Sequence, residues 1–266
     1  MTMELKGQRV LLVYGLLGEV AASLHRLGLE YMQCEEEWLR QEGAEPSIVS
    51  LPTAAPVASN ATRLAATLLA DSRPTLIIAH SKGGLETLAA LSNAEARARC
   101  CGFIALQSPF MGSPVADAVV AAKPLAAASI GLARMLRIGS GEGLRDLTTH
   151  ARQAWMAGHA RAVAETLKRV PTVCVATAIT ANARGRERLH LAAGRWLEKQ
   201  GAGPNDGLVP VSSALLPGAR HLVAEGSHIA GVSRGGGRDP IGLVTRALSL
   251  LDQPPTPPGK PARATD

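Results

Sequence analysis

The chain has 266 residues, enough for one α/β domain with a large core or for two small domains. Hydrophobic residues make up 46% and charged ones 19%, a balance that suits a soluble globular protein. The formal charge of +6 comes mostly from scattered arginines and aromatics are only 3%, so no nucleic-acid partner is expected.

Arg9 to Tyr14 is a continuous apolar run, the pattern of a strand buried on both faces. It stops at Gly15-Leu16-Leu17-Gly18, and it is too short for a signal peptide, so a cytoplasmic location is expected. A helical stretch follows from about Val20 to Gln41, broken near Gly28 and stopped by Gly43. Ser47 to Leu51 reads as a short strand ended by Pro52. Asn60 fits the N-cap of a helix reaching about Ala70, with Leu64, Leu68 and Leu69 on one face. Thr75 to Ala79 is a buried strand, Ala79 to Gly84 a tight turn, and Glu86 to Leu91 helical. Gly102 to Gln107 is another buried strand. Strands alternating with helices argue for a mainly parallel sheet flanked by helices. Sites in such sheets lie beyond the carboxyl ends of the strands. Gly15, Ser81 and Ser108 each follow a strand and should share that edge.

From Gly112 to Val170 the pattern changes to Ala-rich and Leu-rich helices broken at Pro124 and at Gly139 to Gly143. Two accounts fit: ordinary core helices, or a cap whose apolar side faces a substrate. Pro171 to Ala178 resumes the sheet, Glu187 to Lys199 is a helix, and Asn205 to Pro210 reads as a turn after a strand region. His221 to Ala224 fits a last strand, Glu225 to His228 a loop, and Pro240 to Leu251 a closing helix. The expected organisation is a core of residues 1–111 and 171–252, a helical cap insertion at 112–170, and a disordered Pro-rich tail at 253–266. Val115 to Ile138 is the longest apolar stretch, but Asp117, Lys123, Pro124, Arg134 and Arg137 interrupt it, so no membrane insertion is expected. Cys34, Cys100, Cys101 and Cys174 show no C-x-x-C spacing, and neither a metal nor a disulfide framework is expected.

Ala79-His80-Ser81-Lys82-Gly83 follows a strand and precedes a helix, which puts Ser81 at the apex of a sharp turn. Small-x-Ser-x-Gly also occurs as an ordinary solvated turn, so Ser81 needs partners. A serine hydroxyl is a weak nucleophile unless a base takes its proton and a third group orients that base. Of the downstream histidines, His150 and His159 lie in the insertion and His190 among arginines on an expected surface helix. His228 sits in a small-residue loop after the last strand and is the better placed base; His221, at the start of that strand, is the rival. Asp206 is the candidate acid, against the plain alternative of a turn aspartate. Two backbone N–H groups would hold an oxyanion: that of Lys82, after Ser81, and that of Leu16, with Leu17 the alternative. The Lys82 side chain is expected either to be solvated at the site's mouth or to favour anionic or polar substrates.

Four segments resemble bacterial lipases and carboxylesterases of the α/β-hydrolase fold. They are Leu11 to Gly18, Ala79 to Gly84, Ser108 to Asp117, and Asn205 to Ala214 followed by Ser227 to Gly231. Tyr14 stands where that family's oxyanion stretch usually has histidine, and Ala79 where the elbow usually has glycine. The resemblance implies an α/β-hydrolase fold with Ser81 as nucleophile, Asp206 as acid, His228 as base, and Leu16 with Lys82 as oxyanion donors. It implies cleavage of carboxylic esters through an acyl-enzyme, without a cofactor. The cap's apolar character points to a small-molecule, lipid or polyester substrate. A thioesterase or amidase would use the same residues, and a binding protein on this fold is the non-enzymatic alternative. Residues Ile229 to Gly231 lack the aspartate that holds calcium in secreted members of the group.

Overall fold

The protein is described by a computed structural model over residues 4–15, 31–52, 54–121 and 141–255. Six strands form one sheet: β1 (Arg9–Val13), β2 (Glu45–Val49), β3 (Thr75–His80), β4 (Cys100–Leu106), β5 (Thr172–Ala178) and β6 (Arg220–Glu225). Their order is β2-β1-β3-β4-β5-β6, and every neighbouring pair is parallel. The carboxyl ends therefore lie along one edge, and Gly15, Ser81, Gln107 and Gly226 follow them directly or within two residues.

Successive side chains of a strand point to opposite faces, so these strands supply two cores. Leu11, Val13, Ile77, Ala79, Phe103 and Ala105 face one side. There they meet Leu64 and Leu68 of α2 (Val57–Leu69) and Leu85 and Leu88 of α3 (Lys82–Ala90). Val10, Leu12, Leu76, Ile78, Ile104 and Leu106 face the other. Those pack on Leu39 of α1 (Gln33–Gln41) and on Leu243, Val244 and Ala247 of the closing helix Pro240–Leu250. Each of the larger of these side chains, from valine to phenylalanine, contributes about 1.5–3 kcal/mol of burial. This two-sided burial is why the strands read as continuous apolar runs rather than as alternating ones.

Several boundaries differ from the sequence expectation. β2 starts at Glu45 rather than Ser47; as an edge strand it accommodates Pro46. α2 starts at Val57, so Asn60 is not its N-cap; it lies inside the helix, buried, with its amide donating to the Pro52 carbonyl at 2.9 Å. α3 starts at Lys82, immediately after Ser81, without the expected interval before Glu86. Of the helix expected over 20–41, residues 20–30 lie outside the described residues, and α1 accounts for the rest.

Of the expected insertion at 112–170, residues 122–140 lie outside the described residues. The remainder holds α5 (Pro114–Ala121), α6 (Glu142–Arg145), α7 (Thr149–Gly158) and α8 (Ala160–Arg169), with α4 (Ala94–Ala98) preceding β4. Leu144, Leu147 and Val163 belong to the same buried cluster as the strand side chains, and Trp155, Met156 and Leu167 pack against it. α8 runs directly into β5, so its inner face is part of the crossover layer. Among the described residues no helix is long and apolar enough to cross a membrane.

Candidate active site

Ser81 sits between the last residue of β3 and the first of α3, at φ 53° and ψ −123°. For a residue with a Cβ this is a sparsely populated conformation, costing on the order of 1–3 kcal/mol, which surrounding structure must hold in place. Its N–H donates to the Leu106 carbonyl at 2.9 Å, and its carbonyl accepts from Gly84 at 3.0 Å. Two glycines let the chain close around it. A Cβ at Gly83 would lie 2.5 Å from the Val13 and Tyr14 carbonyl oxygens, and one at Gly15 would lie 2.8 Å from Ser81 Cβ. Ser81 is thus wedged between the ends of β1 and β4, with 8% of its surface exposed.

The loop after β6 brings His228 to this point. Its Nε2 lies 3.0 Å from Ser81 Oγ, and its Nδ1 lies 2.7 Å from Asp206 Oδ2. The carboxylate acceptor at Nδ1 fixes the ring proton there, so the Nε2 lone pair faces the serine hydroxyl. That is a geometry in which an imidazole can take a proton from a hydroxyl. Asp206 Oδ1 accepts from the N–H groups of Leu208 at 2.8 Å and Val209 at 2.7 Å. Its carbonyl accepts from the His228 N–H at 2.9 Å, so the two residues are also joined through their backbones. Asp206 follows a helix, α9 (Arg188–Lys199), and not the strand region expected before it. It still reaches the carboxyl edge because Ile179, just past β5, donates to the Asn205 carbonyl at 2.7 Å.

The other predicted positions divide. As the first residue of α3, Lys82 has a backbone N–H with no acceptor inside the helix, beside Ser81. Leu16 and Leu17 lie outside the described residues. The Lys82 side chain is neither solvated at the mouth nor free to meet a substrate. It is 1% exposed, ion-paired with Glu86, and donates to the Ala55 carbonyl at 2.7 Å. Pairing one helical turn away and cover from the loop after β2 together account for this. The Nε2 of His221 is bonded to the Leu216 carbonyl at 2.7 Å. His190 is buried rather than on a surface helix, packed against Gly207 beside Asp206. Burial first, and then nearby His228, lower its pKa below the usual histidine range.

Four further side chains shape the site without a local sequence signal that marks them. His80, the last residue of β3, is buried and bridges two parts of the site. Its Nε2–H donates to the His228 carbonyl at 2.9 Å, which leaves Nδ1 to accept from the Tyr31 hydroxyl. Tyr31 in turn accepts from the Gly15 N–H at 3.1 Å. Glu187, also buried, accepts from the Ser227 N–H at 3.1 Å and from its hydroxyl at 3.2 Å. Gln107 follows β4 at φ 52°, another strained position, and its amide meets both Asp206 and the His228 loop. Among the described residues, no cluster of three or more His, Cys, Asp or Glu is arranged to hold a metal.

No protein-family model matches the chain, and no curated protein does. Solved structures do. The mature form of the Bacillus licheniformis lipase BlEst2 aligns over 91% of this chain and 92% of its own, with a TM-score of 0.71 and 21% identity. The metagenomic carboxyl esterase MGS0156 aligns over 92% of this chain and 71% of its own, with a TM-score of 0.63 and 22% identity. Lipase 1 from Pelosinus fermentans aligns over 93% and 99%, with a TM-score of 0.61 and 14% identity. The chain therefore has the α/β-hydrolase fold and resembles bacterial lipases and esterases in that fold.

Proposed function

We propose that this protein is a serine hydrolase that cleaves carboxylic esters through an acyl-enzyme. His228 takes the Ser81 proton as Oγ attacks the ester carbonyl. The tetrahedral oxyanion is held by the backbone N–H groups of Lys82 and Leu16, each such donor being worth roughly 3–4 kcal/mol. His228 then protonates the leaving alcohol, and a water repeats the sequence on the acyl-enzyme. Asp206 keeps the imidazole in the required tautomer and stabilises its protonated form. The observation that supports this most is the unbroken line from Ser81 Oγ to His228 Nε2 at 3.0 Å and from His228 Nδ1 to Asp206 Oδ2 at 2.7 Å. The substrates are small esters with apolar acyl groups, lipids or polyester oligomers; this rests on the apolar sequence of residues 115–138 alone, of which Val115, Ala116 and Val119 pack into the core.

A fluorophosphonate probe tests the assignment directly. The wild-type protein is expected to be labelled once, and Ser81→Ala not at all. Labelling of Ser81→Ala to the wild-type level would remove Ser81 from the mechanism. Hydrolysis of p-nitrophenyl esters of rising acyl length, beside a matched thioester and anilide, then reads out substrate class.

A further inference from the structure

The Gln107 side chain touches the acid, the strand beneath it, and both ends of the loop bearing the base. It is completely buried. Its Nε2 lies 2.7 Å from the Ser227 carbonyl and 2.5 Å from Thr177 Oγ1. The same nitrogen lies 3.4 Å from Asp206 Oδ2, the oxygen that faces His228 Nδ1. Its Oε1 accepts from the Gly231 N–H at 3.3 Å. The amide orientation follows from these partners: the two hydrogens on nitrogen go to the Ser227 carbonyl and the Thr177 hydroxyl oxygen, one of them shared with the more distant Asp206 carboxylate, and oxygen faces an N–H. Thr177 turns its own proton toward the Ser227 carbonyl at 3.3 Å and so offers Gln107 a lone pair.

No other common side chain meets this set of partners. Glutamate would set a carboxylate against Asp206 and the Ser227 carbonyl. Asparagine is one methylene short, and leucine would leave a buried carbonyl and N–H without partners. The backbone of Gln107 is held at positive φ, where residues with a Cβ are uncommon, and this is the conformation that accompanies the side chain's turn toward the site.

We propose that Gln107 is a positioning residue for the Asp206–His228 pair, fixing the carboxylate and clasping the 227–231 loop so that Nε2 meets Ser81. This rests on the assignment of Ser81, Asp206 and His228 made above. Gln107 makes no contact with the reacting atoms; it acts through Asp206 and through the loop.

The test uses the full chain and the fluorophosphonate labelling rate, with kcat and KM on a short p-nitrophenyl ester. Gln107→Leu is expected to lower kcat and the labelling rate by about 10- to 100-fold, as displaced catalytic groups do, with KM changed less than about twofold. The decisive comparison repeats Gln107→Leu in an Asp206→Asn background. The part of the effect that passes through Asp206 is lost there and only the loop's part remains, so the further loss in labelling rate is expected to be several-fold smaller than in the wild-type background. An equal factor in both backgrounds would make Gln107 a general structural support and overturn the proposal. So would wild-type kcat in Gln107→Leu. The proton between His228 and Asp206 gives a second readout: its low-field NMR resonance, assigned by its loss in His228→Ala, should be lost or broadened in Gln107→Leu. If Gln107→Leu does not fold, the same factors are read from Gln107→Met, which keeps the length of the side chain without its amide. Failure of the underlying assignment looks different: the wild-type protein is then unlabelled, or His228→Ala is labelled as fast as wild type.

Discussion

The ammonium of Lys82 is paired with the carboxylate of Glu86 one helical turn along α3, and the two side chains are only 1% and 2% exposed. The pair is the hub of a small buried network. Lys82 also holds the Ala55 carbonyl, and Asn60 donates to Glu86 at 2.7 Å and to the Pro52 carbonyl. The first turn behind Ser81 is thereby tied to the loop after β2. Burial raises the pKa of Glu86 above the ordinary carboxylate value, and the lysine opposes that shift.

Removing one partner of such a pair strands a charge without water. Lys82→Met or Glu86→Gln is expected to cost about 3–5 kcal/mol in urea unfolding. The double variant should cost less than the sum of the two, because each single change includes the penalty of the other's isolation. A strictly additive double variant would show that the two charges do not depend on each other. Lys82→Met is further expected to leave the acyl-chain preference unchanged, since the ammonium faces the protein interior.

The two candidate histidines separate cleanly by position. His228 reaches Ser81 and Asp206, whereas His221 caps the Leu216 carbonyl at the far end of β6. His228→Ala is expected to lower kcat by about 10³-fold or more, in line with the loss of a general base from such a set. His221→Ala is expected to retain at least about a third of wild-type kcat and to show its effect in the unfolding midpoint, by the ~1 kcal/mol typical of one lost hydrogen bond. Near-equal losses of kcat in the two variants would remove the distinction.

Gly83 is where the elbow touches β1. A methyl group there would meet two backbone carbonyl oxygens at 2.5 Å, and backbone cannot swing aside as a side-chain tip can. Gly83→Ala is expected to cut fluorophosphonate labelling by about tenfold or more, through displacement of Ser81 and the Lys82 N–H. Gly158, the last residue of α7, has open space where its Cβ would be. Gly158→Ala is the control, expected to leave labelling unchanged and to raise stability by about 0.4–1 kcal/mol. A Gly83→Ala protein labelled at the wild-type rate would show that the elbow tolerates the shift.

The order serine, aspartate, histidine was legible because each residue lies in a short turn with its own local pattern. The parallel sheet was legible because buried strands are continuous apolar runs. What could not be read is whatever depends on partners distant in sequence. Gln107 meets Thr177, Asp206 and Ser227 at separations of 70, 99 and 120 residues, and nothing local marks a glutamine after a strand as special. Lys82 and Glu86 had the spacing of a helical ion pair, but only the loop after β2, folded over them, makes it a buried one. Asn60 looked like a cap for the same reason: its type suits helix starts, and its burial against Glu86 is a tertiary fact.

The buried histidines are expected to set the acid limit of the fold. Burial first, and then neighbouring His228, hold the pKa of His80 well below the ordinary histidine value, and the pKa of His190 is lowered by the same two causes. In the unfolded chain both titrate near 6.5, so below that pH the unfolded state binds more protons than the native one. Stability therefore falls as pH drops below about 6.5, by up to about 1.4 kcal/mol per pH unit for each group. Glu86 acts in the opposite sense. Its raised pKa means the native state takes up its proton first, which favours the fold as pH drops toward 4.5. With two histidines against one carboxylate, the urea midpoint is expected to fall between about pH 7 and pH 5.5. His80→Gln removes one of the two titrations while keeping a polar group against Tyr31 and the His228 carbonyl. Its absolute stability will be lower, but its loss between the two pH values should be smaller than that of the wild-type protein. An identical loss in both proteins would mean that His80 is not among the groups that set the acid limit.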